Sequence, residues 1–406
     1  MQKKYDVVVY GASGFTGRLV AEYLLHKYGT DGSLSWAMAG RNESKLSQVR
    51  SDIGAQDVPI IVADSQDREA LDNMTEQAQV TCTTVGPYAK YGDQLVASCV
   101  AHRSHYCDLS GEVPWMRRMI DAHHEEAKNN QVKIVHSCGF DSIPSDYGVY
   151  HLQKKAHEEW GTYCEKVSMR VRAAKGKFSG GTFASGQNVM KEAMKDKKIW
   201  KVLTDPYGLN PSDERNGPDE KDLNRVVYDD LFKSWIAPFV MGNINTKNVR
   251  RGHALMGYPY GKDFQYNEAT MTGDGWKGKM KGKTMMVALG LVMGPKPGTW
   301  MRKTVDRFLP DPGEGPNRTE RENGFYKLLF KGVASDGKVM TTEVTGDMDP
   351  GYGSTSKMLG ESAVCLAKDS NDLPKQYGVI TPVAAMGEAL FHRLSFHAGL
   401  SFKEKG

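Results

Sequence analysis

The first 135 residues alternate between short apolar runs and longer segments whose apolar residues recur at helical spacing. The apolar runs are rich in β-branched residues and lie at 6–10, 34–39, 59–63, 80–85, 106–109 and 132–136. Between the first two runs, Leu19, Val20 and Leu24 share one helical face. Near-continuous apolar runs are typical of strands buried on both faces of a parallel sheet. The alternation therefore predicts an α/β fold with a doubly wound parallel sheet of the Rossmann type.

This alternation ends near residue 150, and a different pattern follows. Strand-like runs lie at 167–173, 325–332 and 339–344, and residues 204–224 are rich in turn-forming residues typical of a surface loop. The segments 358–368 and 381–394 are helical again. We therefore expect a cofactor domain at 1–150 and an α+β domain for substrate or dimer contacts at 151–350. Helices in 351–406 are expected to return to the first domain.

Composition narrows the classes of function. A chain of 406 residues is too long to form a single compact core. Its formal charge of +4 is too small to indicate nucleic-acid binding. The six cysteines form no C-x-x-C pair, and His123 and His124 lack the spacing of metal ligands. Neither a disulfide framework nor a metal site is expected. Because the N-terminal residues run directly into the first predicted strand, we expect no signal peptide and a cytoplasmic location.

A glycine-rich turn joins the first predicted strand to the first predicted helix. Gly11, Gly14 and Gly17 form G-x-x-G-x-x-G, a relative of the dinucleotide-binding fingerprint. Gly11 would permit a tight turn, Gly14 the close approach of a pyrophosphate, and Gly17 close packing of helix on strand. An ordinary glycine turn is the alternative. The predicted cofactor contacts in this segment are Gly11, Ser13, Gly14, Phe15, Thr16 and Gly17.

The end of the second predicted strand indicates which cofactor binds. An NAD site places an acid there for the ribose 2′-hydroxyl, whereas an arginine accommodates the 2′-phosphate of NADP. The sequence supplies Arg41, Asn42 and Lys45, with no acid from Ala39 to Asn42. This favours NADPH, the alternative being that Arg41 is a solvated loop residue.

Ligands of such sheets bind beyond the carboxyl ends of the strands. Residues 86–88, 110–112 and 138–141 follow three of the predicted strands and are expected to converge near the nicotinamide. Tyr88 is the first candidate for the proton donor, with Glu112 and Asp141 as the next candidates. The other cofactor contacts expected at strand ends are Asp64, Val85, Gly86 and Pro87.

A second catalytic pattern is also present. Ser137, Tyr150 and Lys154 reproduce the S-x(12)-Y-x(3)-K spacing of short-chain dehydrogenases, in which the tyrosine donates a proton. The Asn-Ala-Gly that accompanies this triad after the fourth strand is replaced by residues 86–88. A ketone reductase of the short-chain type therefore stays open as an alternative.

Several motifs, taken in order, resemble those of a known family. They are GASGFTG, AGRN, VGPY, DLSGE, GFDSIPSD, PGEGP, MLGESA and VITPVAAMGEAL. Together they resemble the saccharopine dehydrogenase-like family, and within it the trans-acting enoyl reductase branch, over nearly the whole chain. The resemblance implies an NADPH-binding domain, an inserted α+β domain and a returning C-terminal helix.

The resemblance also implies a reductase of C=N or C=C bonds. We expect hydride transfer from NADPH to a C=C bond of a lipid or polyketide acyl substrate. A C=N reductase of the saccharopine type and a non-catalytic NADPH-binding scaffold at a lipid surface are the alternatives.

A basic segment in the second predicted domain bears on partners. From Gly275 to Val305 the cations are Lys277, Lys279, Lys281, Lys283, Lys296, Arg302 and Lys303, and no acid intervenes. This segment contains an apolar run, Met285 to Met293, which is too short to span a bilayer. The run is expected to be a core segment, an acyl-chain lining or a membrane-surface segment. An acyl carrier protein or an anionic membrane is the expected partner, and a homodimer is a further alternative.

Overall fold

A computed structural model describes residues 3–176, 180–293, 299 and 315–405. The chain divides into two compact units. The first contains Met1–Ile143 and Gly351–Gly399, and the second contains Pro144–Pro350 and Leu400–Gly406.

The first unit is built on a parallel sheet. Its strands are β1 (Tyr5–Tyr10), β2 (Trp36–Gly40), β3 (Ile60–Val62), β4 (Ala78–Thr83), β5 (His105–Cys107), β6 (Lys133–Val135) and β13 (Gly378–Ile380). Their order across the sheet is β13-β6-β5-β4-β1-β2-β3, and neighbouring strands are parallel. The side chains of Val7, Val8 and Val9 are fully buried, because helices cover both faces of a sheet of this kind. The predicted Rossmann-type fold is confirmed.

The helices of the first unit come from both ends of the chain. They are α1 (Phe15–Tyr28), α2 (Glu43–Asp52), α3 (Arg68–Gln77), α4 (Tyr88–Tyr91), α5 (Asp93–Ala101), α6 (Val113–Asn129), α13 (Thr355–Lys368) and α14 (Pro382–Phe396). Helix α13 is buried along nearly its whole length and packs against α1 and against β1, β4 and β5. The C-terminal residues therefore complete the core of the first unit.

The second unit contains a mixed sheet and its own helices. Its strands are β7 (Lys166–Lys175), β8 (Val227–Asp229), β9 (Ser234–Ala237), β10 (Gln265–Gly273), β11 (Phe325–Val333), β12 (Val339–Gly346) and β14 (Leu400–Glu404). Its helices are α7 (Ile143–Trp160), α8 (Gly180–Ala193), α9 (Lys197–Thr204), α10 (Gly242–Leu255), α11 (Gly275–Met293) and α12 (Arg318–Glu322). The strand order is β14-β12-β11-β7-β10-β9-β8, in which only β7 and β10 pair in parallel among the described strands.

The compact units differ from the expected domain boundaries in two places. The second unit starts at Pro144 rather than 151, because α7 continues without a break from the last loop of the first unit. The chain end also belongs to the second unit, since β14 pairs antiparallel with β12. Only residues 351–399 of the tail belong to the first unit.

The basic segment lies partly in α11. Residues 275–293 are helical, whereas Lys296, Arg302 and Lys303 lie outside the described residues. In the described parts of the chain, no helix combines the length and apolar character needed to cross a bilayer.

Candidate active site

The turn between β1 and α1 requires glycine at two positions. Gly11 has φ of +90°, and a Cβ there would lie 2.7 Å from Val85 Cγ2. A Cβ on Gly17 would lie 2.1 Å from the carbonyl oxygen of Gly11. The amide of Gly11 donates to the Ala39 carbonyl oxygen at 2.8 Å, which fixes the turn beside β2. Both glycines thus permit backbone approaches that any side chain would block.

The N-terminus of α1 offers room for a phosphate group. Gly14 is exposed, and a Cβ there would meet only the Gly11 carbonyl oxygen, at 3.3 Å. No side chain caps this helix. Helix N-termini attract anions because their first amides lack intrahelical acceptors and the helix dipole is positive there. Ser13, Phe15 and Thr16 are half-buried around this opening, and the arrangement fits the pyrophosphate of a dinucleotide.

Three polar residues follow β2. Asn42 caps α2, because its side-chain oxygen accepts a hydrogen bond from the Lys45 amide at 2.9 Å. The side chains of Arg41 and Lys45 are exposed. Asn42 therefore has a structural role in starting α2, and the two cations are the groups available to a 2′-phosphate.

The other predicted cofactor contacts also lie at strand ends. After β3, the side chain of Asp64 accepts from the Gln66 amide at 2.9 Å and stabilises the turn. After β4, the Val85 amide donates to Thr83 Oγ1 at 3.2 Å, Gly86 is exposed, and Pro87 is half-buried. These residues all follow the carboxyl ends of parallel strands, where dinucleotides bind in this fold.

Tyr88, the first candidate for the proton donor, has a buried hydroxyl group that is already bonded. The hydroxyl accepts from the Leu109 amide at 3.1 Å and donates to the Thr83 carbonyl oxygen at 3.4 Å. Its ring stacks on Trp115, with 5.4 Å between centroids. Burial, followed by the nearby charge of Asp108, raises the pKa of Tyr88 well above its usual value. These contacts give Tyr88 a structural role, because its hydroxyl joins two loops.

Both carboxylate oxygens of Glu112 also accept hydrogen bonds already. Its carboxylate accepts from the amides of Tyr88 at 2.8 Å and Ala89 at 3.0 Å, and it is almost completely buried. It therefore satisfies amides at the start of α4, which have no intrahelical acceptor.

A buried hydrogen-bond network around Asp108 was not anticipated from the sequence. One carboxylate oxygen accepts from the Ser110 and Ser137 amides at 2.9 and 3.0 Å. The other bonds to Tyr106 Oη and His136 Nδ1, each at 2.7 Å. Asp108 thus connects the ends of β5 and β6. The signal in the sequence was a carboxylate directly after an apolar strand, within the DLSGE motif.

Asp141 differs from the other two candidate donors. It lies after β6 in a tight turn in which the Ser142 amide donates to the Phe140 carbonyl oxygen at 3.0 Å. Its side chain keeps some exposed surface, yet burial of the carboxyl group raises its pKa to about 7. A substantial fraction of this carboxyl group therefore carries a proton at neutral pH.

Ser137, the serine of the short-chain dehydrogenase pattern, is already hydrogen-bonded within the first unit. Ser137 is fully buried in the first unit, and its hydroxyl donates to the Ser110 carbonyl oxygen at 2.6 Å. Tyr150 and Lys154 lie one helical turn apart on α7, which belongs to the second unit. The serine is therefore committed to holding two loops of the first unit together.

The second unit contains a buried acidic group that the sequence analysis missed. Glu268 on β10 accepts from Tyr266 Oη at 2.7 Å and from Asn245 Nδ2 at 2.9 Å. Burial raises the pKa of Glu268 to about 7, against the opposing effect of these hydrogen bonds. It was missed because the strand that carries it lacks a clear apolar alternation. Within the described residues, no group of three or more His, Cys, Asp or Glu side chains is placed to hold a metal ion.

Comparison with known proteins identifies the class. Residues 7–135 match the saccharopine dehydrogenase NADP-binding domain. Together with the parallel sheet and the glycine turn, this match defines an NADP-dependent oxidoreductase. NADPH is its cofactor, as Arg41 and the lack of an acid after β2 predicted.

Relatives along the whole chain identify the family. A Mycobacterium tuberculosis protein named as a trans-acting enoyl reductase is 39% identical, covering 99% of this chain and 97% of the relative. The trans-acting enoyl reductase of Mycobacterium ulcerans is 36% identical, covering 97% and 96%. The chain belongs to the saccharopine dehydrogenase-like family, in its trans-acting enoyl reductase branch.

A solved structure agrees with the fold. Saccharopine dehydrogenase (L-Glu forming) of Saccharomyces cerevisiae aligns with a TM-score of 0.51 at 11% identity. The alignment covers 98% of this chain and 99% of that one. At this identity the similarity establishes the shared architecture.

Proposed function

We propose that this NADP-dependent reductase reduces a C=C bond conjugated to the carbonyl group of a lipid or polyketide acyl substrate. The observation that carries the proposal is the identity of 36–39% to trans-acting enoyl reductases along nearly the whole chain. Because these similarities cover both compact units, they favour a common reaction class rather than a shared cofactor domain alone.

The chain's own residues would bind the cofactor and supply a proton. When bound, NADPH supplies the hydride that adds to the β-carbon of the substrate. The open N-terminus of α1 at Gly14 would hold the pyrophosphate, and Arg41 would bind the 2′-phosphate. These residues would hold the dinucleotide along the carboxyl edge of the sheet.

The protonation step requires an acid that carries a proton near neutral pH. As the β-carbon accepts hydride, the electron pair of the C=C bond moves toward the carbonyl group, and the α-carbon then takes up one proton. Asp141 fits this role better than Tyr88 or Glu112. Its pKa of about 7 leaves a proton to donate, whereas the carboxylate of Glu112 and the hydroxyl of Tyr88 already bond to backbone groups.

Substrate screening tests the reaction class. Oxidation of NADPH is followed with enoyl thioesters of short and long chain length, with cyclic imines and with ketones. Turnover of enoyl thioesters supports the proposal, and increasing turnover with chain length supports an acyl-lipid substrate. Turnover of imines alone would replace the proposal with a C=N reductase. Cofactor binding without turnover of any of the three classes would favour the non-catalytic scaffold.

Two variants test the proton donor on whichever enoyl substrate is reduced. Asp141→Asn is expected to lower kcat by about 10²-fold or more, within the usual range for losing a general acid. The wild-type rate should fall as the pH rises above about 7, because the carboxyl group loses its proton. Tyr88→Phe keeps the ring on Trp115 and should retain most activity. The opposite ranking of these variants would return the role to Tyr88.

A further inference from the structure

Helix α11 packs on the second sheet through glycines. A Cβ on Gly278 would lie 2.1 Å from the Gly273 carbonyl oxygen, and one on Gly282 would lie 2.9 Å from Val226 Cγ1. The helix contacts β9 and β10. The glycines, one turn apart, therefore mark the side of the helix that faces the protein.

The opposite side of α11 carries large apolar residues that are exposed. Trp276, Met280, Val287 and Leu291 are 73, 49, 62 and 53% exposed. At about 100° per residue, these four positions fall within about 60° of one another, roughly opposite the two glycines. We call this set the apolar stripe. Over the 15 residues that separate its ends, it extends about 22 Å along the helix.

The apolar stripe gathers several exposed apolar side chains on one helix. Its four members are among ten large apolar side chains that are exposed in the described parts of the chain. The outer face of a helix packed on a sheet is normally polar, because its water-facing positions gain nothing from apolar side chains. Large exposed apolar side chains concentrated on one face of a helix mark an interaction site.

Lysines border the N-terminal half of the apolar stripe on both sides. Lys277 and Lys281 lie along one edge and Lys279 and Lys283 along the other, by the same helical spacing, and all four are exposed. Lys279 also lies over the Trp235 ring, with 4.8 Å from Nζ to the ring centroid. The helix contains no acid, and Asp274 just before it accepts from the Gly275 amide.

We propose that α11 binds the surface of an anionic phospholipid membrane. The apolar stripe would enter the boundary between headgroups and acyl chains, while the flanking lysines bind lipid phosphates and carboxylates. A straight apolar stripe with cations along both edges of its N-terminal half suits a plane. An acidic carrier protein would instead have to offer a matching apolar groove. The arrangement places the helix on the membrane rather than across it, and the inference does not depend on which bond the enzyme reduces.

Vesicle binding by the full-length protein tests the proposal. Cosedimentation is measured with vesicles of phosphatidylcholine alone and of phosphatidylcholine with phosphatidylserine, at low and high salt. We expect binding to the anionic vesicles that weakens as salt increases, and at least tenfold weaker binding to the neutral ones. No binding to anionic vesicles at low salt would overturn the proposal.

Matched variants identify the binding surface. Val287→Ser with Leu291→Ser should weaken binding at least tenfold, whereas Phe396→Ser removes a residue that is 76% exposed on α14 and should have no effect. Replacing the four lysines with serine should abolish binding, and replacing them with arginine should preserve it. Unchanged binding in the serine variants would contradict the proposal.

Two other binding partners of the apolar stripe would give different experimental results. Binding of an acidic acyl carrier protein without vesicle binding would assign α11 to a protein partner and overturn the membrane proposal. Sedimentation would reveal a dimer of this chain. If Val287→Ser with Leu291→Ser dissociated that dimer, the stripe would be assigned to a second copy of this chain, which would also overturn the membrane proposal.

Discussion

Arg41 is the charged residue on which selectivity between the two nicotinamide cofactors is expected to depend. It is exposed directly after β2, and the neighbouring Asn42 is occupied in capping α2. Arg41→Ala should weaken NADPH binding about tenfold or more, since a charge-assisted contact to a phosphate contributes roughly 1.5–3 kcal/mol. Binding is measured by nicotinamide fluorescence.

NADH serves as the internal control for this variant, because it lacks the 2′-phosphate. Its affinity should be unchanged in Arg41→Ala. Equal losses for both cofactors would indicate that Arg41 supports the fold of the site, and unchanged NADPH affinity would assign selectivity to Lys45 or another residue.

Glu268 should make the stability of the protein depend on pH. Its folded-state pKa of about 7 lies above the ordinary value of 4.5, so the folded protein binds the extra proton more tightly than the unfolded chain. Glu268 therefore makes its full contribution to the stability of the folded protein below about pH 4.5, where it is protonated in both states. This contribution is lost as the pH rises through about 7. Glu268→Gln removes this dependence. We expect its stability relative to wild type to increase by about 1–3 kcal/mol over that interval, measured by urea unfolding.

Glu343 provides a control with the opposite sign. Burial acts to raise its pKa, but the ion pairs with Lys405 and Arg172 outweigh this and lower the pKa below the ordinary value. Glu343→Gln should therefore lose stability relative to wild type as the pH rises from about 3 to 5. Parallel pH profiles for the two variants would contradict at least one of the two assignments.

The chemistry at individual residues could be predicted only in part. The roles expected for Gly11 and Gly17 follow largely from local geometry, because Gly11 has φ of +90° and a Cβ on Gly17 would meet the Gly11 carbonyl oxygen. The environments of Tyr88 and Glu112 could not be predicted, since their partners come from other loops. The raised pKa of Asp141 likewise depends on burial, which the sequence does not reveal.

At the scale of elements, a buried ionic cluster joins the returning helices to α1. Glu361 on α13 is fully buried and accepts from Tyr23 Oη and Tyr28 Oη, each at 2.6 Å. Arg393 on α14 donates to the other oxygen of Glu361 at 3.1 Å. One carboxylate thus connects three helices of the first unit.

Removing Glu361 should destabilise the first unit strongly. Glu361→Ala leaves two tyrosine hydroxyls without their shared acceptor, which costs about 1–3 kcal/mol per buried donor, while Arg393 keeps its ion pair with Asp369. Urea unfolding measures the loss. Arg18→Ala breaks surface ion pairs with Glu22 and Asp52 and is expected to cost about 1 kcal/mol or less. Equal effects of the two variants would show that the buried cluster contributes no more than a surface pair.

Helices and strands could be predicted where the spacing of apolar residues was regular, and they were missed where it was not. The six strands of the first unit that precede residue 150 were visible as apolar runs, whereas β13, which comes from the far end of the chain, was not predicted. Helix α10 was missed because it buries cations: Arg250 pairs with Asp219 and donates to the Tyr266 carbonyl oxygen. Its partners include residues of 204–224, which were expected to be a surface loop but contain the buried Tyr207 and Leu209.

At the scale of the whole molecule, each compact unit needs residues that are distant in sequence. The first unit takes β13, α13 and α14 from residues 351–399, and the second takes β14 from the last residues. In the first unit, α13 covers apolar surface of β1 and β4, and the Gln79 side chain donates to the Ala367 carbonyl oxygen at 2.9 Å. Folding of the cofactor domain therefore depends on the C-terminal part of the chain.

Two truncations test this dependence. A chain ending at Pro350 lacks α13, exposes the core residues of β1 and β4, and should neither bind NADPH nor resist proteolysis. A chain ending at Gly399 keeps the first unit complete and loses only the strand that pairs with β12. It should bind NADPH with the wild-type affinity, although its second unit should unfold at lower urea concentration. If the chain ending at Pro350 bound NADPH as tightly as the one ending at Gly399, residues 1–143 would form a complete cofactor domain without the returning helices.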